Sequence, residues 1–492
     1  MIAILDDTNR QVVPRWLDYY SSCALGLLRI VRVPKSFLKQ SPPNYRTEFD
    51  WLNKPSLATA VDLVAEALIL KAFESKPART AAQFILKNTA LSDLLIREIA
   101  QHFLEEPTVQ QVVLNDGQIG NEMWTGIAIL KKAVRNHPLD PIAWSDLALS
   151  YAVIGQLEKS RQTMQVAVSL GKYNRFILRS AARCYFHLQE PDRAIRLLRE
   201  SELCELDPWI ASAEIAISDW MGSRSSCIKS GRELIRNRNL SPFSISELAA
   251  CIGTLEIKNG SIKKGKSLIR EALRDPSENA FAQAEWIATQ LKTEFPIPAF
   301  IQASYEAQTR HYYRGKDFKL SFKAAEQWAR FQRFSSRPLI LATFLASVCL
   351  NDDQRAVSII RKSAPTHYNS PLLMNNFAFA LARSGEVATA NDTLNKISNN
   401  RLSERERFTV AATRGLIYYR SGNIERGSEL YRNAVNGFDK MKDSRSAAIA
   451  AYFWAFEEKR VKSADAAARI SDAKKRIKKS DTFELEELAI KL

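Results

Sequence analysis

Apolar residues recur at three- and four-residue intervals over most of the chain, with small residues set between large ones. Trp144, Leu147 and Tyr151 fall on one helix face, and Ser160, Met164 and Ala167 form a matching stripe beyond Gly155. This spacing predicts two antiparallel helices: small Ala148 lets the second approach the first, and Gly155 makes the short turn where a side chain would obstruct. The next 34 residues repeat the design with Leu178, Ala181, Ala182, Tyr185, Ala194, Leu198 and Ser201, closing at Asp207-Pro208. Gly126, Leu130, Ala133 and Pro138 take the second-helix positions of a preceding unit. Neither helix of a hairpin can bury its stripe alone, so neighbouring hairpins must stack into a continuous core.

Further units phase on their turn glycines. Gly260 goes with Ile252, Gly253, Ile269 and Ala272; Gly385 with Phe377, Ala378, Leu381, Ala390 and Leu394; Gly422 with Gly415, Tyr418, Tyr431 and Ala434. Weaker copies surround Gly222, Gly315 and Asn351-Asp352-Asp353, and a last hairpin pairs 444–458 with 463–478. The unit at Pro141–Asn174 resembles a tetratricopeptide repeat at nearly every signature position. That resemblance implies an all-α fold, a right-handed α-α superhelical solenoid. It also implies a concave groove lined by first helices, with repeat positions 2, 5, 9, 12 and 13 facing inward.

Carried over, those positions are Phe176, Arg179, Arg183, Phe186 and His187 in the second clear repeat, so Arg179, Arg183 and His187 form a row along one helix. The repeat phased at Ile301 presents Gln302, Tyr305, Thr309, Tyr312 and Tyr313, unless a slip upstream makes this a second helix. Later candidates are Asn375, Arg383, Tyr419 and Arg420. A guanidinium row suits carboxylates or phosphates, and an aromatic row suits a peptide or bases. The paired Lys and Asn clamp of chaperone-binding relatives is not visible.

Five regions follow. Residues 1–106 read as a helical cap, with Ser56 capping Leu57–Phe73, Pro77 opening a second helix and Ser92 capping Asp93–Leu104. Val33–Asn53, rich in proline, reads as a loop whose Tyr45, Phe49 and Trp51 tuck it onto the surface. Residues 107–279 form a first sub-solenoid. An extra helix (Phe281–Lys292) and Phe295-Pro296-Ile297-Pro298 make a kink over 280–300, because the starts near Ser246 and Ile301 are not one repeat apart. Residues 301–480 form a second sub-solenoid, and 481–492 an acidic tail.

Charge changes the picture of partners. The formal net charge is +16, which favours polyanions: an acidic protein or peptide, or nucleic acid. Basic runs at Lys258–Arg270, Arg310–Lys323 and Lys474–Lys479 read as solvated faces unless they merge into one stripe. The longest apolar segment, Leu57–Phe73, is broken by Asp62, Glu66 and Lys71, so no membrane span is expected. The first residues lack a secretory pattern, which points to the cytoplasm.

Chemistry is sparse. The six cysteines have no CxxC pair and read as reduced core residues, while the five histidines show no HExxH spacing. No cofactor, metal or enzymatic activity is called for. One exception is weighed: Ile2-Ala3-Ile4-Leu5-Asp6-Asp7 is how a PIN-type nuclease opens, with an Asp on a divalent metal. That fold needs further strands, and the plainer alternative is an ordered tail whose acids meet Arg10 and Arg15. The expected function is therefore a non-enzymatic protein-binding scaffold or adaptor.

Overall fold

The computed structural model describes residues 1–3, 10–17, 44–69, 75–88, parts of 97–104, 118–237, 240–296, 304–398, 402–480, 483–490 and 492. Among these residues every regular element is helical, as the hydrophobic period requires. Near the N-terminus, α1 (Asn44–Asn53), α2 (Leu57–Ile69) and α3 (Lys76–Asn88) share a small core around Trp51, Leu63, Ala81 and Ile85. Ser56 Oγ accepts from the Thr59 amide at the start of α2, as expected. The loop expected over 33–53 is corrected by α1: Trp51 packs on Phe84 at 5.1 Å between ring centroids, whereas Phe49 is exposed. The helix expected over 93–104 and most of that loop lie largely outside the described residues.

The repeat array begins with α4 (Gln118–Asn136), followed by the hairpin α5 (Pro141–Val153) and α6 (Leu157–Leu170). Next come α7 (Arg175–His187) with α8 (Pro191–Arg199), a single turn α9 (Leu203–Leu206), then α10 (Pro208–Trp220) with α11 (Ile228–Arg236). The pair α12 (Pro242–Lys258) and α13 (Ile262–Ala272) precedes a lone α14 (Glu278–Gln290). Then α15 (Tyr305–Arg314) pairs with α16 (Phe318–Phe331), and α17 (Arg337–Phe344) runs through a π-turn into α18 (Asp353–Arg361). The last hairpins are α19 (Pro371–Arg383) with α20 (Val387–Asn395), α21 (Glu404–Arg420) with α22 (Ile424–Lys440), and α23 (Ser444–Arg460) with α24 (Ala466–Ser480). A short α25 (Glu486–Ile490) ends the chain.

Local chemistry sets the boundaries. Asp140, Asn174, Asp207, Ser241 and Ser277 cap first helices with a side-chain acceptor, and proline occupies the first turn at 141, 208, 242 and 371. Between first and second helices the backbone turns through the left-handed region, at Gly155, Gly222, Gly260, Gly385 and Gly422, but also at Gln189, Lys316, Asn351 and Lys462. Lys292, after α14, has the same conformation, yet the next such residue, Lys316, comes only 24 positions later. Thus α14 is a first helix without a described partner, which accounts for the repeat-phase slip. The Pro296–Pro298 kink falls mainly outside the described residues.

Helix packing follows small residues. Ser160 Oγ donates to Ala148 O at 2.8 Å, and Ser321 Oγ donates to Thr309 O at 2.9 Å, both across a hairpin. These matching bonds fix α15 as a first helix, one residue out of phase with the reading from Ile301. The array curls far enough that α5 meets the Pro365–Asn369 turn, and a Cβ placed on Gly155 would lie 3.6 Å from the Thr366 backbone. Among the described residues its buried apolar residues fall into three clusters, a small one over 127–154, one mainly over 148–307 and one mainly over 322–485.

Two expectations about chemistry are corrected. Cys204 and Cys227 form a disulfide between α9 and the start of α11, with their Cα atoms 6.4 Å apart, so this pair is not reduced. Cys184 and Cys251 are buried free thiols, whereas Cys23 lies outside the described residues. Burial pushes the Cys184 thiol up to about 12, an unreactive state. Met1–Ala3 joins helices rather than a sheet, and no strand occurs among the described residues, contrary to the layered nuclease layout. Asp6 and Asp7 lie outside the described residues.

Candidate functional site

The first helices of successive hairpins pack on one another along the inner face of the curl, and residues 1–3 and 10–17 lie along that face. From Met1 to Gln11 they run opposite to the array, with Met1 at α21, Ala3 at α19, Arg10 at α14 and α15 and Gln11 at α10, and Trp16 then meets Phe334. Met1 and Ile2 join the C-terminal apolar cluster, while Val12 and Trp16 join the N-terminal one. Ile2 and Val12 have no exposed surface and Trp16 only 1%, so the segment is enclosed.

Two kinds of contact hold it. At the far end, the Asn376 carboxamide takes both backbone groups of Ala3: Oδ1 accepts from the amide at 2.6 Å and Nδ2 donates to the carbonyl at 3.0 Å. Nδ2 also donates to Thr343 Oγ1 on α17 at 3.0 Å, which orients the amide. Asn375 Nδ2 and Thr413 Oγ1 both donate to Met1 O, at 2.9 and 2.8 Å. Further along, Gln283 Nε2 donates to Arg10 O and Asn279 Nδ2 to Val13 O, each at 3.1 Å. These bonds replace the neighbour that an extended backbone would find in a sheet.

At the centre the contacts read side chains. Arg10 makes a two-point pair with Glu306, at 2.9 and 3.1 Å, and also donates to Asn279 and Gln283. Arg15 makes a two-point pair with Glu278, at 2.9 and 3.2 Å, and reaches Glu306 as well. Arg310 at 2.9 Å and Arg337 at 3.3 Å complete the ring around Glu306. Burial would raise the Glu306 carboxyl, but Arg10, Arg15, Arg337 and Arg310 together hold it well below the usual carboxylate range. Glu278 differs: burial outweighs Arg15 and pushes its carboxyl up. Burial lowers the Arg10 guanidinium to about 10, against the pull of Glu306.

The residues expected at the groove are distributed unevenly. Arg179 pairs with Glu247 at 2.8 Å and stacks on Trp209, so it is committed within the array. Arg183 lies over Phe186 and Phe334, and burial, with Arg337 and Arg15 nearby, lowers it to about 9. His187 stands edge-on to Phe334, the same ring that packs on Trp16. Tyr305 packs on Phe331, and Tyr313 donates to Glu484 near the C-terminus. Tyr312 stands beside His311. Arg383 is locked by Asp353 at 2.7 Å, Tyr419 donates to Glu458 at 2.5 Å, and Arg420 pairs with Glu457 at 2.6 Å. Among the described residues, Asn375 holds the inner segment directly through Met1 O.

Sequence reasoning passed over Asn376, Thr413, Asn279, Gln283, Glu278 and Glu306. The clearest signal was Asn375-Asn376, two carboxamides in the otherwise apolar helix that begins Pro371-Leu372-Leu373-Met374. Glu306 and Glu278 pair with Arg10 and Arg15, whereas Asp6 and Asp7, expected to meet those guanidiniums, lie outside the described residues. Members of the basic runs are also engaged: Lys258 with Asp219, Lys264 with Glu256, and Arg476 with Asp472 and Asp439. Among the described residues no cluster of His, Cys, Asp or Glu could hold a metal ion, and no helix is long and apolar enough to cross a membrane.

No protein-family model matches the sequence, and no curated protein matches it. Among solved structures, the crystal structure of the yeast Tom70 is similar at 12% identity over 88% of this chain and 94% of that one. Its TM-score is 0.29, so the tetratricopeptide-like assignment rests on the hairpins described above.

Proposed function

We propose that this protein is a binding scaffold whose inner helical face holds an extended segment of a partner protein. The observation that carries the reading is the Asn376 clasp, in which one side chain satisfies both the amide and the carbonyl of Ala3. Such a contact recognises extended backbone without regard to side chain, and Asn375, Thr413, Gln283 and Asn279 extend it along the face. A curled face that encloses its occupant suits an unfolded segment better than a folded domain. Nucleic acid, the other partner class that a charge of +16 suggests, is less suited to a face whose Asn376, Gln283 and Asn279 side chains address peptide amide and carbonyl groups.

The test places a photo-crosslinking residue at Thr343, on the inner face, and in parallel at Arg161, on the second helix α6. In the native host, position 343 is expected to crosslink to one extended stretch of a second protein, and position 161 is not. Partner crosslinks confined to position 161 would reject the inner face. Steep loss of partner binding with added salt would instead point to phosphate contacts.

A further inference from the structure

Resting on that reading, we infer that the groove selects peptides bearing two arginines five positions apart with an aromatic residue after the second, and that residues 1–3 and 10–17 occupy it in cis as a displaceable stand-in. Five observations converge on this. Backbone contacts at Met1, Ala3, Arg10 and Val13 accept any extended chain, so they leave selectivity to side chains. The charged side chains that residues 10–17 carry into the face are Arg10 and Arg15, each meeting a carboxylate through two parallel N–H bonds, a geometry lysine cannot reproduce.

Removing the segment has unequal consequences for the two acids. Glu306 would keep Arg310 and Arg337, whereas Glu278 has Arg15 as its ion-pair partner among the described residues. Among the described residues, a vacated groove therefore leaves the Glu278 carboxylate without a cation, close to that of Glu306. A replacement must bring positive charge to that point. Next to it, Phe334 offers a ring face at 5.4 Å from the Trp16 ring, which sets the aromatic position one residue beyond the second arginine. The hydrogen bonds from Met1, Arg10, Gln11 and Arg15 reach residues more than 200 positions away, so the segment docks as a ligand does rather than as part of a neighbouring hairpin.

The outcome in trans depends on competition. While the segment is seated, an external peptide sees only the fraction of molecules in which it has left, and its apparent affinity falls by that fraction. Weakening the segment should therefore strengthen external binding. The full chain carrying Arg10→Ala and Arg15→Ala is titrated with a fluorescent peptide of the sequence of residues 1–17, followed by anisotropy. The variant is expected to bind at least about tenfold more tightly than the unaltered chain, and a peptide with both arginines replaced by glutamate is expected to lose at least about tenfold. Equal binding of the arginine and glutamate peptides would overturn the arginine requirement and leave the extended-peptide reading standing. If neither peptide binds a variant that still melts cooperatively, the extended-peptide reading falls as well.

Should the double variant fail to fold, a protease site introduced within residues 18–43 and cut after folding answers the same question. Excess labelled arginine peptide is expected to exchange with the released segment. A segment retained until the whole array unfolds would overturn displacement and make residues 1–3 and 10–17 a permanent strut.

Discussion

The far end and the centre of the inner face hold the same segment with different emphasis. Around Met1–Ala3 the array offers uncharged groups, Asn375, Asn376, Thr409 and Thr413, which address the backbone. Around Arg10–Trp16 it offers Glu278, Glu306 and Phe334, which address side chains. Neutral hydrogen bonds contribute modestly when made but are costly when one partner is removed in a buried place. Buried charge pairs amplify that asymmetry, because each ion was desolvated to reach its partner. The far end therefore resembles a guide that tolerates many sequences, and the centre resembles a gate that tests for charge.

The sharpest break comes at the gate. Glu306→Ala would leave Arg10, Arg15, Arg310 and Arg337 converging on a site without its shared carboxylate. We expect a stability loss of about 3–5 kcal/mol in urea unfolding, the range for stripping one member from a buried ion cluster. A loss below about 1 kcal/mol would mean that water already screens the cluster.

Acidification gives the next largest effect, and it acts outside both regions. Burial lowers His367 to about 4, and lowers His187, with Arg183 and His367 adding to it, to about 4 as well. A depressed histidine contributes stability above its unfolded value of about 6.5, and that contribution is lost as pH falls towards 4. For His367 alone the shift corresponds to about 3 kcal/mol as an upper bound. His367 lies in the Pro365–Asn369 turn that closes the curl against α5. His367→Gln should flatten the unfolding free energy between pH 6.5 and 4, and an unchanged slope would exclude this residue. Glu306, held below the usual range, should lose its contribution only at still lower pH, because an acid with a depressed folded value is protonated late.

What sequence revealed depended on distance along the chain. Hairpin rules are local: Gly155, Gly260, Gly385 and Gly422 all take the left-handed turn, and Ser160 packs against the Ala148 carbonyl twelve positions earlier. The same local rule, read one residue out of phase at α15, brought forward Tyr305 and Thr309 and passed over Glu306. A one-residue error on a helix rotates the chosen face by about 100°, enough to exchange groove for wall. The docking of residues 1–3 and 10–17 had no local signal, since Arg10 finds its carboxylate 296 positions away. The Cys204–Cys227 bond was hidden because its spacing follows no compact motif.

The guide end is tested by smaller changes. Asn376→Ala removes both contacts to Ala3 and leaves a buried amide and carbonyl without those partners, so we expect a loss of about 2 kcal/mol. Hydrogen exchange at Ala3 should accelerate, whereas unaltered protection would show that the clasp is incidental. Thr413→Val is milder because it keeps the shape of the side chain and removes only the hydroxyl. Met1 O loses one of its two donors but retains Asn375 Nδ2 at 2.9 Å, and the Met1 ammonium loses Thr413 Oγ1 but retains Thr409 O at 3.2 Å, so neither group is orphaned. The expected cost is about 0.5–1 kcal/mol in the same urea assay. If Thr413→Val instead costs as much as Glu306→Ala, the contrast between a tolerant guide and a charge-testing gate is broken, because the neutral end would then be anchoring the segment as firmly as the ion cluster.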